Sequence, residues 1–193
     1  TDPGSYSTAQ NDVKDIDIIL ITHEHQDHLH IESLKTVLKN NPQATIITNK
    51  GVGVLLQKEG MVYSLLEHGQ KIEIKGVLIE GFGTKHADIY KTLIPVNNTG
   101  YFISNKLFYP GDAPTNPKKS VDILALPVAG PWLKLSDAIE YALELKPKTC
   151  FPVHDGMFQK DRLGPAHRLP NTLLESQGIQ FIILEDGIAK ELE

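Results

Sequence analysis

The stretch Ile18-Ile19-Leu20-Ile21-Thr22-His23-Glu24-His25-Gln26-Asp27-His28 decides how this chain reads. Its first half belongs to a run, residues 15–22, that is β-branched and nearly continuous in apolar side chains. That is the pattern of a buried strand. The second half is an H-x-H-x-D-H cluster. Alternate residues of an extended backbone share a face, so His23 and His25 can point the same way while Asp27 and His28 turn toward a second position. Imidazole nitrogen and carboxylate oxygen are the donors expected around zinc, iron or manganese. Four such donors in one short loop exceed what a single tetrahedral ion takes, so the spacing suggests two metal centres. Of the eight histidines, His23, His25, His28 and His30 crowd together, whereas His68, His86, His154 and His167 are scattered.

Outward from the cluster, short β-like runs alternate with amphipathic helical segments. Residues 30–40 predict a helix with Ile31, Leu34, Val37 and Leu38 on one face, stopped by Asn41-Pro42. Strands are predicted at 44–48, twice within 71–82, at 100–104 and 107–109 as a hairpin, and at 121–127 and 149–153. Helices are predicted at 50–60, from an N-cap at Ser136 to about residue 146, and at 171–177. Residues 180–184 and 187–192 read as a closing hairpin, and 113–119 and 160–170 as loops. Strands and helices mix throughout, which makes the class α/β or α+β in layers.

Composition narrows the function. The 193 residues, 40% of them hydrophobic, suffice for one domain spanning 1–193 with a real core. A net charge of −5 argues against a dedicated binder of long nucleic acid. The one cysteine, Cys150, excludes an internal disulfide and a cysteine-rich zinc framework, and reads as a small buried hydrophobe. No apolar stretch approaches the ~20 residues of a membrane helix, and no signal-peptide pattern opens the chain. A soluble cytoplasmic protein is expected.

With these residues in view, the sequence resembles the metallo-β-lactamase fold superfamily. Thr22-His23-Glu24-His25-Gln26-Asp27-His28 matches its signature, and Gly83-Thr84-Lys85-His86, Tyr109-Pro110-Gly111-Asp112 and Phe151-Pro152-Val153-His154 follow in the family's order. Asp2-Pro3-Gly4 is similar to an Asp-Pro element that ends an early strand. Residues 122–130, Ser136-Asp137-Ala138 and Pro152-Val153-His154 are similar to a branch of metal-dependent hydrolases that includes ascorbate-6-phosphate lactonases. The resemblance implies a four-layer αβ/βα sandwich. Such proteins carry strands before the Asp-Pro element, so a domain lacking its first strands is expected.

The resemblance also implies roles. His23, His25 and His86 would hold one divalent ion, Asp27, His28 and His154 a second, and Asp112 would bridge them. Zinc is the expected metal, with manganese or iron as alternatives. Asp27 and Asp112 would be the catalytic carboxylates around a metal-bridging hydroxide, acting on a phosphoester, phosphodiester or lactone. An iron-dependent redox enzyme of the same fold and a non-catalytic metal-binding member are the alternatives. Thr22 and Glu24 are candidates to support the ligands, His30 to begin a helix, and His68 to be a surface residue. Lys160, Arg162, His167 and Arg168 follow His154 and either hold a phosphate or carboxylate or form a solvated basic loop. Trp132 is either a pocket wall or a core or interface anchor. The implied partner is a small-molecule substrate, with no membrane; association with further copies of the chain stays open.

Overall fold

The computed structural model describes residues 1–185 and 187–192, with the side chain of Lys160 outside that description. The apolar run before the histidine cluster forms β1 (Ile18–Ile21). It is shorter than 15–22 because Asp15 adopts a left-handed φ of 61° and Ile16 N donates to Asn41 Oδ1 rather than to a neighbouring strand. The chain continues through α1 (Ile31–Asn40), β2 (Thr45–Thr48), α2 (Lys50–Lys58) and β3 (Ser64–Leu65), and the three strands pair in parallel in the order β1-β2-β3. Asn49 caps α2 by accepting from Val52 N.

A second sheet follows, made of β4 (Lys71–Ile74), β5 (Val77–Phe82), β6 (Gly100–Ile103), β7 (Leu107–Tyr109), β8 (Ile123–Pro127), β9 (Thr149–Val153) and β10 (Gln180–Phe181). The helices α3 (Leu135–Leu145) and α4 (Gly164–Glu175) interrupt it on either side of β9. Its order is β10-β9-β8-β7-β6-β5-β4. The pairs from β4 to β7 are antiparallel, and those from β7 to β10 are parallel.

Side-chain alternation in the strands sorts the core into layers. Ile19, Ile21 and Ile46 pack toward Leu34, Val37, Val52 and Leu56 of α1 and α2. Leu20 and Ile47 face the opposite way, against Ile79 and Tyr101 of the second sheet. Phe108, Leu124, Leu126 and Cys150 meet Ala138, Ala142 and Leu174 of α3 and α4 on that sheet's outer side. The result is the αβ/βα sandwich that the resemblance implies. Each fully buried aliphatic side chain contributes about 1.5–3 kcal/mol. Truncating a central one such as Leu124→Ala would cost about 2–5 kcal/mol.

Three local expectations are corrected. Ser136 does not cap α3; it lies inside the helix with its Oγ on Asp137 Oδ1, and Lys134 holds the cap position. The helix predicted at 171–177 begins at Gly164 and absorbs much of the loop predicted at 160–170, with Pro170 inside it. Burial of Ala166, His167, Pro170 and Leu174 on one face outweighs the roughly 3 kcal/mol that an internal proline costs. The closing hairpin is absent among the described residues. After α4 the chain re-enters as β10, parallel to β9, with α4 supplying the crossover that a parallel pair needs. None of the helices among the described residues is long and apolar enough to cross a membrane.

Candidate metal centre

Four loops converge at one end of the two sheets. The turn after β1 carries His23, His25, Asp27 and His28; the 83–99 loop between β5 and β6 carries His86; the turn after β7 carries Asp112; and His154 directly follows β9. Donor atoms of His23, His25 and His86 lie within 4.8 Å of one another, as do those of His23, His28 and Asp112, and those of Asp27, His28 and His154. Asp112 sits at the middle. Its Oδ2 is 3.1 Å from His154 Nε2 and 3.3 Å from His86 Nε2, and its Oδ1 is 3.1 Å from His28 Nε2. Asp27 Oδ2 is 3.4 Å from His154 Nε2 and 3.7 Å from His28 Nε2. All seven side chains singled out as ligands therefore meet in one place.

The backbone that presents Asp112 is pinned. Its N–H donates to Asn98 Oδ1 at 3.0 Å, and its carbonyl accepts from Ala87 N at 2.8 Å. Gly111, at φ 63°, turns the chain there against Thr22 and Asn98. His154 itself adopts φ 63°, a region disfavoured for a side chain with a Cβ and found where a site over-determines the backbone.

Hydrogen bonds also fix which ring nitrogens face the centre. A carboxylate only accepts, so His28 Nδ1 donates to Asp2 Oδ2 at 2.8 Å and turns Nε2 toward the centre. Thr22 Oγ1 spends its one proton on Asp2 Oδ2, so His23 Nδ1 donates to that hydroxyl at 3.0 Å, and His23 Nε2 faces the centre with His25 Nδ1 at 3.1 Å. His86 Nδ1 donates to the carbonyl of Ala87. Tyr109 OH completes the shell around Asp2 at 2.7 Å. Ligand histidines typically show this arrangement, with the distal N–H held by a fixed acceptor.

Charges in the cluster oppose one another. Burial and then the neighbouring His28 lower His23 to about 3, and burial with His86 lowers His25. Burial works against a charged His28, but the Asp2 and Asp112 carboxylates outweigh it and raise the ring to about 10. Asp112 and Asp27 similarly outweigh burial at His154 and raise it to about 9. Burial pushes Asp112 up, yet His154, His28 and His86 hold its carboxyl well below the usual range. His154 is the main cause holding Asp27 down at about 2. These contacts are close but badly aimed. His28 Nε2, His86 Nε2, both nitrogens of His154 and Asp112 Oδ1 are buried without a hydrogen-bond partner. Ring nitrogens gathered around ionised carboxylates, close yet mutually unsatisfied, fit divalent cations of the zinc, manganese or iron type, whose binding would release the ring protons.

The remaining candidates divide. Trp132 joins the centre, its indole N–H donating to Asp112 Oδ2 at 2.8 Å. His167 is buried and bonds Asp155 Oδ2 at 2.8 Å, which ties α4 to the turn just after His154. Arg162 and Arg168 are exposed and line neither cavity that borders the seven residues. Thr22 supports His23 as expected, while Glu24 makes no side-chain hydrogen bond among those described. His30 stands at the N-cap position of α1, and exposed His68 accepts from Gly83 N. The sequence reading missed Asp2, Tyr109 and Asn98 as supporting residues. The Asp-Pro pair was visible, but its partners lie 20, 26 and 107 positions away.

A sandwich of this topology with histidines and aspartates at one end is the architecture of metallo-β-lactamase fold proteins. Residues 1–154 match the model of the β-lactamase superfamily domain, and the chain belongs to that family. Among its relatives is protein Rv0786c of Mycobacterium tuberculosis, 30% identical over 84% of this chain and 78% of its own. The UPF0173 metal-dependent hydrolase Ta0764 of Thermoplasma acidophilum is 25% identical over 77% of this chain and 70% of its own. A crystal structure from Parabacteroides distasonis, assigned as a metal-dependent hydrolase, superposes with a TM-score of 0.73 at 26% identity, covering 94% of this chain and 82% of that one. Igni18, a metallo hydrolase of Ignicoccus hospitalis, gives 0.70 at 20% identity, over 92% and 80%, and supports the fold alone.

Proposed function

We propose that this chain is a dinuclear metal-dependent hydrolase acting on an ester-type bond of a small molecule, whether phosphoester, phosphodiester or lactone. The observation that carries the reading is Asp112, which lies within 3.3 Å of imidazole nitrogens from His28, His86 and His154 while its Oδ1 stays buried and unpartnered. His23, His25 and His86 would hold one ion, Asp27, His28 and His154 the other, and Asp112 would bridge them. Bound there, the two ions would supply a nucleophilic hydroxide at neutral pH and polarise the oxygen under attack. Zinc is the proposed metal; manganese or iron would take the same donors.

The chain's own groups have separable tasks. Asp2 and Thr22 orient His28 and His23, and the Ala87 carbonyl orients His86. Asp27 is the more accessible of the two central carboxylates, with 21% of its side chain exposed against 4% for Asp112. It is therefore the one placed to hold a proton of the attacking water. Trp132 walls Asp112 and limits the swing of its carboxylate.

The test is metal content measured beside turnover. Loaded with zinc or manganese, the chain should retain two ions and hydrolyse at least one of bis-p-nitrophenyl phosphate, p-nitrophenyl butyrate or a simple lactone. Asp112→Ala should lose metal and activity together, whereas His68→Ala should lose neither. An Asp112→Ala protein with full metal and full rate would refute the bridging assignment.

A further inference from the structure

The 83–99 loop that delivers His86 carries more than a ligand. Its feet are pinned, by His86 N to Val96 O at 2.9 Å and by Ala87 N to Asp112 O at 2.8 Å. Its tip carries Ile89, Leu93 and Ile94, which are 38%, 58% and 93% exposed. Aliphatic side chains held in water beside a buried polar centre are costly unless a ligand covers them. Between this tip and the centre lies a cavity of about 200 Å³, walled by the rings of His25 and His86 on one side and by Ile89, Leu93, Ile94 and Val96 on the other. A smaller cavity of about 100 Å³ borders Asp27, His28 and His154. Neither lining contains a lysine or arginine among the described residues.

We infer that the larger cavity seats a short apolar acyl or alkyl group, so that the substrate is an uncharged carboxylic ester or lactone rather than a phosphoester. This rests on the hydrolase reading and narrows it. At roughly 30 Å³ per small group, the space suits a chain of about four to eight carbons. Beyond the reach of the proposed ions, neither lining offers a lysine or arginine to the remaining charged oxygens of a phosphate, which would give up water for an aliphatic wall, whereas a neutral ester needs no such partner. An ester carbonyl could instead sit at the histidines with its hydrocarbon against Leu93 and Val96. In the reaction the water oxygen bonds to the carbonyl carbon and the bond to the leaving alkoxy oxygen breaks. One water proton ends on that oxygen, and the acid product releases the other to solvent.

The experiment compares p-nitrophenyl acetate and butyrate with bis-p-nitrophenyl phosphate on the metal-loaded chain, in wild type and Leu93→Asp. Each buried methylene should raise kcat/KM about four-fold, so butyrate should exceed acetate about fifteen-fold. In Leu93→Asp that ratio should fall toward one with metal content unchanged. Saturation-transfer NMR with butyl acetate on chain stripped of metal gives a readout independent of turnover, and its signal should drop in Leu93→Asp. Equal rates on acetate and butyrate, or a phosphodiester preferred over both, would overturn the substrate assignment and leave the hydrolase reading standing. No hydrolysis of any of the three with any divalent metal would overturn the hydrolase reading, and the substrate assignment with it.

Discussion

Gly111→Ala probes the join between fold and site. Gly111 and Gly60 have nearly the same left-handed backbone, φ 63° and 70°, but a Cβ at Gly60 would meet nothing within 4 Å. At Gly111 it would lie 2.5 Å from Asn98 Oδ1, 2.8 Å from Thr22 Cβ and 2.9 Å from Thr22 Oγ1. Neither neighbour can easily yield. Asn98 Nδ2 donates to Pro110 O while its Oδ1 accepts from Asp112 N, and Thr22 is bonded twice to Asp2. The left-handed conformation alone costs about 1–2 kcal/mol, and this is the whole expectation for Gly60→Ala. Gly111→Ala adds overpacking of about 1–3 kcal/mol. Loss of a buried hydrogen bond, if Asn98 swings away, adds a similar amount. The difference between the two variants in urea unfolding should be roughly 2–6 kcal/mol, a large fraction of a typical 5–15 kcal/mol stability. Because relief of the clash moves Asp112, retained metal should fall in Gly111→Ala and not in Gly60→Ala. Two variants alike in both stability and metal content would refute the close packing of Gly111 and the dependence of Asp112 on it.

Other predictions follow from neighbouring contacts. Asp2→Ala removes the acceptor that orients His28 directly and His23 through Thr22, and chelator competition should show metal affinity weakened about 10–100-fold. Trp132 is the only tryptophan, and its ring centroid lies 5.8 Å from that of His86 and 6.1 Å from that of His154. Intrinsic fluorescence should therefore change as metal is titrated in and stay flat in Trp132→Phe. Burial pushes the Cys150 thiol up to about 12, so thiol reagents at pH 8 should leave it unmodified until the chain is unfolded. That shift also carries a sign. The fold favours the neutral thiol, so its contribution to stability is full below the unfolded value of about 8.5 and is lost as pH rises toward 12.

The chain's own letters determined the strand entering the cluster, the helices with clear apolar faces and the donor chemistry of His23, His25, Asp27 and His28. These are short-range facts: period, spacing and residue type suffice for them. His86, Asp112 and His154 were legible only through their order after the cluster, since a lone histidine or a Gly-Asp pair carries little by itself. The tertiary structure decided what depends on distance in space. It brought Asp2 onto His28 and Thr22, turned Trp132 onto Asp112 and His167 inward onto Asp155, and left Arg162 and Arg168 in solvent. It also carried α4 through Pro170, because burial of a whole face outweighs one missing N–H. Local propensity is written along the chain, but burial and the partner of each ring nitrogen are set only when segments far apart in sequence share one small volume.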